Sequence, residues 1–149
     1  MRKKRKKHVY VGHARSHDQV QALEKIAKGK FCPFCDPNYI KKEHKKPILA
    51  QNKNWLATEN RWPYDGASVH LVFIHKTHIE HVSEVSKEGW EDLKKIVSMM
   101  CGKLKVKGAT LVMRFGEGRF TGATVTHLHA QLISGKGKKE GKPVVARVG

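Results

Sequence analysis

The stretch Thr124-Val125-Thr126-His127-Leu128-His129-Ala130-Gln131-Leu132-Ile133 alternates with period two, which reads as a β-strand. Val125, His127, His129, Gln131 and Ile133 fall on one face, and Thr124, Thr126, Leu128, Ala130 and Leu132 on the other. Two imidazoles and an amide therefore stand in a row, roughly 7 Å apart. Leu128, Ala130 and Leu132 form the side expected to be buried. Just upstream, Gly116-Glu117-Gly118-Arg119-Phe120-Thr121-Gly122 reads as a glycine-rich turn whose backbone N–H groups suit a phosphate.

The rest of the chain supplies a sheet and a helix for this strand. Ile48 to Gln51 and Trp55 to Glu59 read as strands joined by Asn52-Lys53-Asn54. Val69 to His75 is a nearly continuous apolar run, hence a central strand, and Ala109 to Phe115 is another. Ser16 caps a first helix with Gln19 completing a capping box; Val20, Leu23, Ile26 and Ala27 mark its stripe, and Gly29 ends it. Ser86 caps a long helix over residues 87–106, with Trp90, Leu93, Val97, Met100 and Leu104 on one face and Gly108 as its end. Residues 37–46 read as a basic loop, and Val144 to Val148 as a possible short last strand. Strands, a helix and then strands on short links predict an α+β fold: an antiparallel sheet with one long helix packed on it and a short N-terminal helix.

With 149 residues the chain suits one domain with a real core. No run approaches a membrane span, and no apolar segment follows the basic start as in a secretory signal. Three cysteines argue against a disulfide framework, so a cytoplasmic protein is expected. The net charge of +17 points to polyanions as partners. Arg2-Lys3-Lys4-Arg5-Lys6-Lys7 should repel itself, stay disordered and attract nucleic acid without sequence preference.

Cys32-Pro33-Phe34-Cys35 has the spacing by which two thiolates grip one zinc ion. Two further ligands are needed. Cys101 lies beside the stripe of the long helix and is better read as packing, which leaves the histidines.

At His127-Leu128-His129-Ala130-Gln131-Leu132-Ile133, preceded by Gly122-Ala123-Thr124, the chain resembles the histidine triad (HIT) superfamily. The family pattern is His-φ-His-φ-His-φ-φ after a Gly-x-Ser/Thr turn. Here the third histidine is glutamine, which resembles the nucleotidyltransferase branch, that of galactose-1-phosphate uridylyltransferase and the dinucleoside tetraphosphate phosphorylases. The resemblance extends over Cys32 to Cys35, Asn60-Arg61-Trp62-Pro63-Tyr64, and His70 to His78, about residues 30–135. The like-charge run sets a basic disordered tail at 1–15 and the residues after Gly135 a flexible C-terminal tail at 136–149; the resemblance implies a HIT-like domain at 16–135 and a homodimer.

The resemblance also implies roles. His129 would be the nucleophile on the α-phosphorus of a nucleotide, its other ring nitrogen held by a backbone carbonyl. Gln131 cannot titrate but can hydrogen-bond phosphoryl oxygens, which favours good leaving groups and transfer over hydrolysis. His70 would stand near the phosphate, Asn60 at the ribose, Gly122 and Thr124 at the phosphate turn, with Trp62 and Tyr64 bordering the base. Relatives often carry asparagine near Arg114-Phe115-Gly116, so Arg114 or Arg119 would supply that phosphate contact. His78 and His127 would complete the zinc site with Cys32 and Cys35; His81, three residues on, is the alternative to His78. The expected function is a nucleotidyltransferase or nucleotide hydrolase acting on a dinucleoside polyphosphate or similar nucleotide. The rival is a basic zinc-stabilised module that binds nucleic acid without chemistry.

Overall fold

The computed structural model describes residues 7–36, 38–137, 139 and 141–149. Most of the basic run at residues 2–7, Pro37 of the expected loop, and Lys138 of the C-terminal tail lie outside the described residues.

Five strands form one antiparallel sheet: β1 (Ile48–Gln51), β2 (Trp55–Glu59), β3 (Ala67–His75), β4 (Thr110–Arg114) and β5 (His129–Gly135), in the order β1-β2-β3-β5-β4. The helix α2 (Lys87–Lys103) connects β3 to β4 and covers one face. Leu71 and Phe73 of β3, Trp55 and Ala57 of β2, and Leu128, Ala130 and Leu132 meet Leu93, Ile96 and Met100 there. Trp55 is fully buried, and its indole N–H donates to the Gly89 carbonyl over 2.7 Å. Truncating it to alanine would cost about 3–5 kcal/mol.

The opposite face is covered as well. Helix α1 (His17–Gly29) and the segment around Val9 pack Leu23, Ile26, Tyr39 and Val125 together. Ile40, Val72 and Ile74 form a smaller cluster beside Phe34. Coverage on both sides explains why Leu71 to His75 are all buried and read as a continuous apolar run.

Several local expectations shift. The alternating stretch becomes a strand only at His129. Residues upstream pair elsewhere: Val125 with Val9, Thr126 N–H with the His8 carbonyl, and Leu128 N–H with the Ile79 carbonyl. The alternation survives because these partners hold the segment extended. Residues 8–14, placed with the basic tail by sequence, thus lie against 123–126. The expected basic loop contains a π-helical turn, Tyr39–Glu43, whose Tyr39 and Ile40 are buried. In α1, Ser16 Oγ accepts from Gln19 N–H, while Gln19 Oε1 accepts from Arg15 N–H, one residue before the usual capping box. Gly29 is the last helical residue, and Lys30 takes the left-handed turn at φ 54°. Trp90 on α2 and Leu104 just past its end are 43% and 40% exposed; Leu93, Ile96 and Met100 carry the buried face. That helix stops at Lys103, and Lys105, not Gly108, takes the positive φ.

Residues 144–148 form no strand. The segment passes the backbone at Gly66 and Gly122 instead, and the Arg147 carbonyl accepts from Arg114 Nη2 over 2.8 Å.

Candidate active site and metal centre

Cys32 and Cys35 sit in the tight turn after α1, His78 follows β3, and His127 precedes β5. Their donor atoms all lie within 4.8 Å of one another. Cys32 Sγ and Cys35 Sγ are each 3.4 Å from His127 Nδ1, and Cys35 Sγ is 3.1 Å from His78 Nδ1. A tetrahedral zinc with ordinary bond lengths sets its sulfur and nitrogen ligands roughly 3.5 Å apart, so the donor set fits.

The outer contacts fit too. His127 Nε2 donates to the His75 carbonyl over 2.6 Å, and His78 Nε2 donates to Glu80 Oε1 over 3.0 Å. Each bond places the ring proton on Nε2 and leaves Nδ1 bare toward the thiols. Burial holds His127 down to about 4, hence neutral, as a ligand must be. Burial, and next the hydrogen bond from Cys35, push the Cys32 thiol up to about 12. A cation is what makes a thiolate favourable there. His81 faces away: its Nδ1 is 2.9 Å from Ser83 Oγ and its ring stands against Phe115.

His129 Nδ1 donates to the His127 carbonyl over 2.8 Å. A carbonyl can only accept, so the proton is on Nδ1 and Nε2 carries the lone pair. Among the described residues no hydrogen bond engages Nε2, and His129 lines the pocket. Burial lowers its pKa; the carbonyl bond opposes this and the charge of Arg114 adds to it. Phe34, inside the Cys-x-x-Cys turn, stands edge-on to this ring at 5.3 Å.

Gln131 follows on the same face of β5. Its Oε1 accepts from His70 Nε2 over 2.7 Å, and His70 Nδ1 accepts from Tyr64 N–H over 3.0 Å. Burial holds His70 below its ordinary pKa. Asn60 sits beside it, its Oδ1 held by Trp62 N–H at 2.8 Å and its Nδ2 3.1 Å from His70 Nε2.

The pocket brings together most of the residues singled out by sequence: Asn60, Trp62, Tyr64, Arg114, Gly122, Thr124, His129 and Gln131. Arg114 pairs in register with His129 across β4 and β5. Arg119 pairs with Glu117 instead, at 2.5 Å and largely exposed, so Arg114 is the one aimed at the site. The glycine turn carries a short helix, α3 (Gly118–Thr121), and spends some of its N–H groups internally: Gly122 N–H on the Gly118 carbonyl, Ala123 N–H on Thr121 Oγ1. Gly122 is required there, with φ 71°.

Sequence reasoning missed Arg15, His13, His44 and Arg147, all pocket residues. Arg15 and Arg147 stood in segments read as tails, and His44 in a segment read as loop. The buried His44 donates from Nε2 toward Thr58 Oγ1 at 3.0 Å and the Glu59 carbonyl at 3.1 Å.

A histidine-bearing strand, a five-stranded antiparallel sheet and one long covering helix define the histidine triad class of α+β proteins. The HIT domain model matches residues 41–138, and the chain belongs to this family. It is similar to a HIT family hydrolase from Clostridium thermocellum at 29% identity, covering 75% of this chain and 95% of that one, TM-score 0.53. A HIT family hydrolase from Legionella pneumophila is 28% identical over 70% of this chain and 92% of that one, TM-score 0.51. A histidine triad nucleotide-binding protein from Candida albicans shares the fold, with TM-score 0.62 at 22% identity, over 80% of this chain and 85% of that one. No curated protein sequence matches the chain. Among the described residues no helix is long and apolar enough to cross a membrane.

Proposed function

We propose that the protein is a nucleotidyl-transferring or nucleotide-hydrolysing enzyme that works through a nucleotidyl-histidine at His129, with a dinucleoside polyphosphate or similar nucleotide as substrate. The observation that carries this is the bond from His129 Nδ1 to the His127 carbonyl, which leaves Nε2 bare in the pocket. In the first step the Nε2 lone pair forms a P–N bond to the α-phosphorus while the bond to the leaving oxygen breaks with its electron pair. The Nδ1 proton stays on the ring, and the carbonyl supports the positive charge that develops. In the second step a phosphate oxyanion, or water that gives its proton to solvent, attacks the phosphorus and the P–N bond breaks with its electron pair back to Nε2.

Gln131 shapes this chemistry. Its Oε1 is occupied by His70, so its NH₂ is the end left for phosphoryl oxygens. An amide adds no acid or base, so leaving groups that are already stable anions are the suitable ones. This supports the nucleotidyltransferase branch and phosphate as an acceptor.

Zinc is the metal the Cys32, Cys35, His78 and His127 donors suit, and when bound it supplies a cross-link between three distant segments. A homodimer belongs to the same reading: β4 is an edge strand, and its Leu111 is 48% exposed, an apolar edge for a second copy to cover. The net charge of +17 favours nucleic-acid attraction as an added property.

Nucleotide turnover with and without added phosphate tests the reading. Wild-type protein is expected to convert at least one of a panel of nucleoside triphosphates and dinucleoside polyphosphates, faster with phosphate present, and His129→Ala is expected to convert none. Equal turnover by both proteins contradicts it.

A further inference from the structure

Among the described residues, the buried polar side chains that line the pocket are Gln19, His44, His129 and Gln131. His129 and Gln131 carry the proposed chemistry, and Gln19 and His44 have no part in it. These two are only 5% and 7% exposed, yet each spends one polar atom on the backbone and leaves the other bare. Gln19 Oε1 accepts from Arg15 N–H over 2.9 Å, so its NH₂ is the free end. His44 Nε2 lies 3.1 Å from the Glu59 carbonyl, which can only accept, so the proton is on Nε2 and Nδ1 carries the lone pair. Thr58 Oγ1 agrees: it is 3.0 Å from His44 Nε2 and donates its own proton to the Pro47 carbonyl over 2.9 Å. Burial, the largest effect, lowers the pKa of His44 and keeps Nδ1 unprotonated. Neither Gln19 Nε2 nor His44 Nδ1 makes a hydrogen bond, and neither atom is sealed from solvent. For side chains this deeply buried, the pocket they line is where that opening lies.

The sheet sets how far these groups stand from the reacting end. His44 is anchored on Thr58, Thr58 pairs in register with Val72, and Val72 with Gln131. Two strand spacings put the anchor of His44 roughly 10 Å across the sheet from Gln131. Val72, buried between them, lines the pocket. A nucleotide with its phosphorus at His129 carries its base about that far away, with the ribose in between. Leu23, Ile26, Phe34 and Tyr39 give that end apolar walls. Gln19 stands one turn before Leu23 on the same face of α1, and it lies outside residues 41–138, the part matched by the HIT domain model.

We propose that Gln19 and His44 are the specificity-determining residues for the nucleobase: the Gln19 NH₂ donates to a ring nitrogen, and His44 Nδ1 accepts from the amino group beside it. The proposal rests on the nucleotide-site reading for the position of the phosphorus and goes beyond it in naming how the base is selected. The two side chains offer one donor and one acceptor. The Watson–Crick edge of adenine presents one acceptor, N1, beside one donor, the 6-amino group. The same edges of guanine, cytosine and uracil each present three polar groups, and burying the third without a partner is costly.

Equilibrium binding of AMP, of purine riboside 5′-monophosphate, which lacks the 6-amino group, and of ribose 5-phosphate to the full chain reads these contacts without catalysis. AMP is expected to bind about tenfold or more tighter than the purine analogue, which leaves His44 Nδ1 unpaired. GMP, CMP and UMP should bind more weakly than AMP. Q19E keeps the acceptor for Arg15 N–H and turns the donor into an acceptor. It should lose about tenfold or more of AMP affinity relative to ribose 5-phosphate, which carries the same phosphate charge. H44F should bind AMP and the analogue alike, and H44Q, whose amide can donate to the Glu59 carbonyl and still accept, should restore the preference. A merely structural role would weaken all ligands together and leave the preference for AMP intact. Should H44F fail to fold, Q19E and the wild-type comparison decide. Equal binding of AMP and the analogue by wild type, an undiminished preference in H44F, or tighter binding of GMP, CMP or UMP would overturn the proposal and leave the nucleotide site standing. Binding of none of these ligands would overturn the nucleotide-site reading and the proposal together.

Discussion

His70 Nε2 and Gln131 Oε1 lie 2.7 Å apart, and the direction of that hydrogen bond is fixed from outside the pair. Tyr64 N–H donates to His70 Nδ1, so the only proton of the neutral ring is on Nε2, and Gln131 must accept with its oxygen. The amide orientation therefore follows from a backbone N–H two bonds away.

Replacing Gln131 by histidine restores a titratable group beside the leaving oxygen. We expect Gln131→His to raise hydrolysis relative to phosphate-dependent transfer. General acid–base help is worth about 10²–10⁴-fold at an optimised site, and an unoptimised one should give the lower end or less. Product analysis with and without phosphate checks this. An unchanged ratio would show that the glutamine does not set the acceptor.

The candidate metal centre and the proposed nucleophile share one residue. His127 offers Nδ1 to the thiols and its carbonyl to His129. We expect one zinc per chain, and a Cys32→Ser protein that loses zinc and melts on the order of 10 °C lower. Elemental analysis and a melting curve decide it. Full zinc content with unchanged melting in Cys32→Ser would contradict the assignment.

Acid should destabilise the fold through its buried imidazoles. Burial lowers the pKa of both His44 and His70. Below about 6.5 the unfolded chain binds protons that these folded rings resist, so stability is full above that pH and falls as pH drops. Each such ring contributes a slope of up to about 1.4 kcal/mol per pH unit. Urea unfolding at pH 7.5 and 5.5 should show a smaller drop for His44→Gln than for wild type, with the metal ligands common to both. An equal drop would assign the acid sensitivity elsewhere.

The sheet and its covering helix were legible because their signals are local. Alternation at 127–133, the apolar run in β3 and the capping serines each reflect a single element. The Cys-x-x-Cys spacing was equally plain, and resemblance supplied the partner histidines. What sequence did not carry was long-range docking. Val9 pairs with Val125 across more than a hundred residues, and nothing in the basic segment around it marks that contact. Arg15 and Arg147 are pocket residues only because segments read as tails fold back on 122–126. The start of β5 was misplaced for the same reason: upstream of His129, pairing depends on residues 8–10 and 79 and not on the alternation itself.

The most direct test of the central claim is intact-mass measurement of rapidly quenched protein after mixing with nucleotide, followed by peptide mapping. The account predicts a gain of one nucleoside monophosphate on the peptide carrying His129, absent from His129→Ala, and discharged by water or phosphate. Turnover of a nucleotide with no adduct at any quench time, or an adduct that persists in His129→Ala, would contradict it.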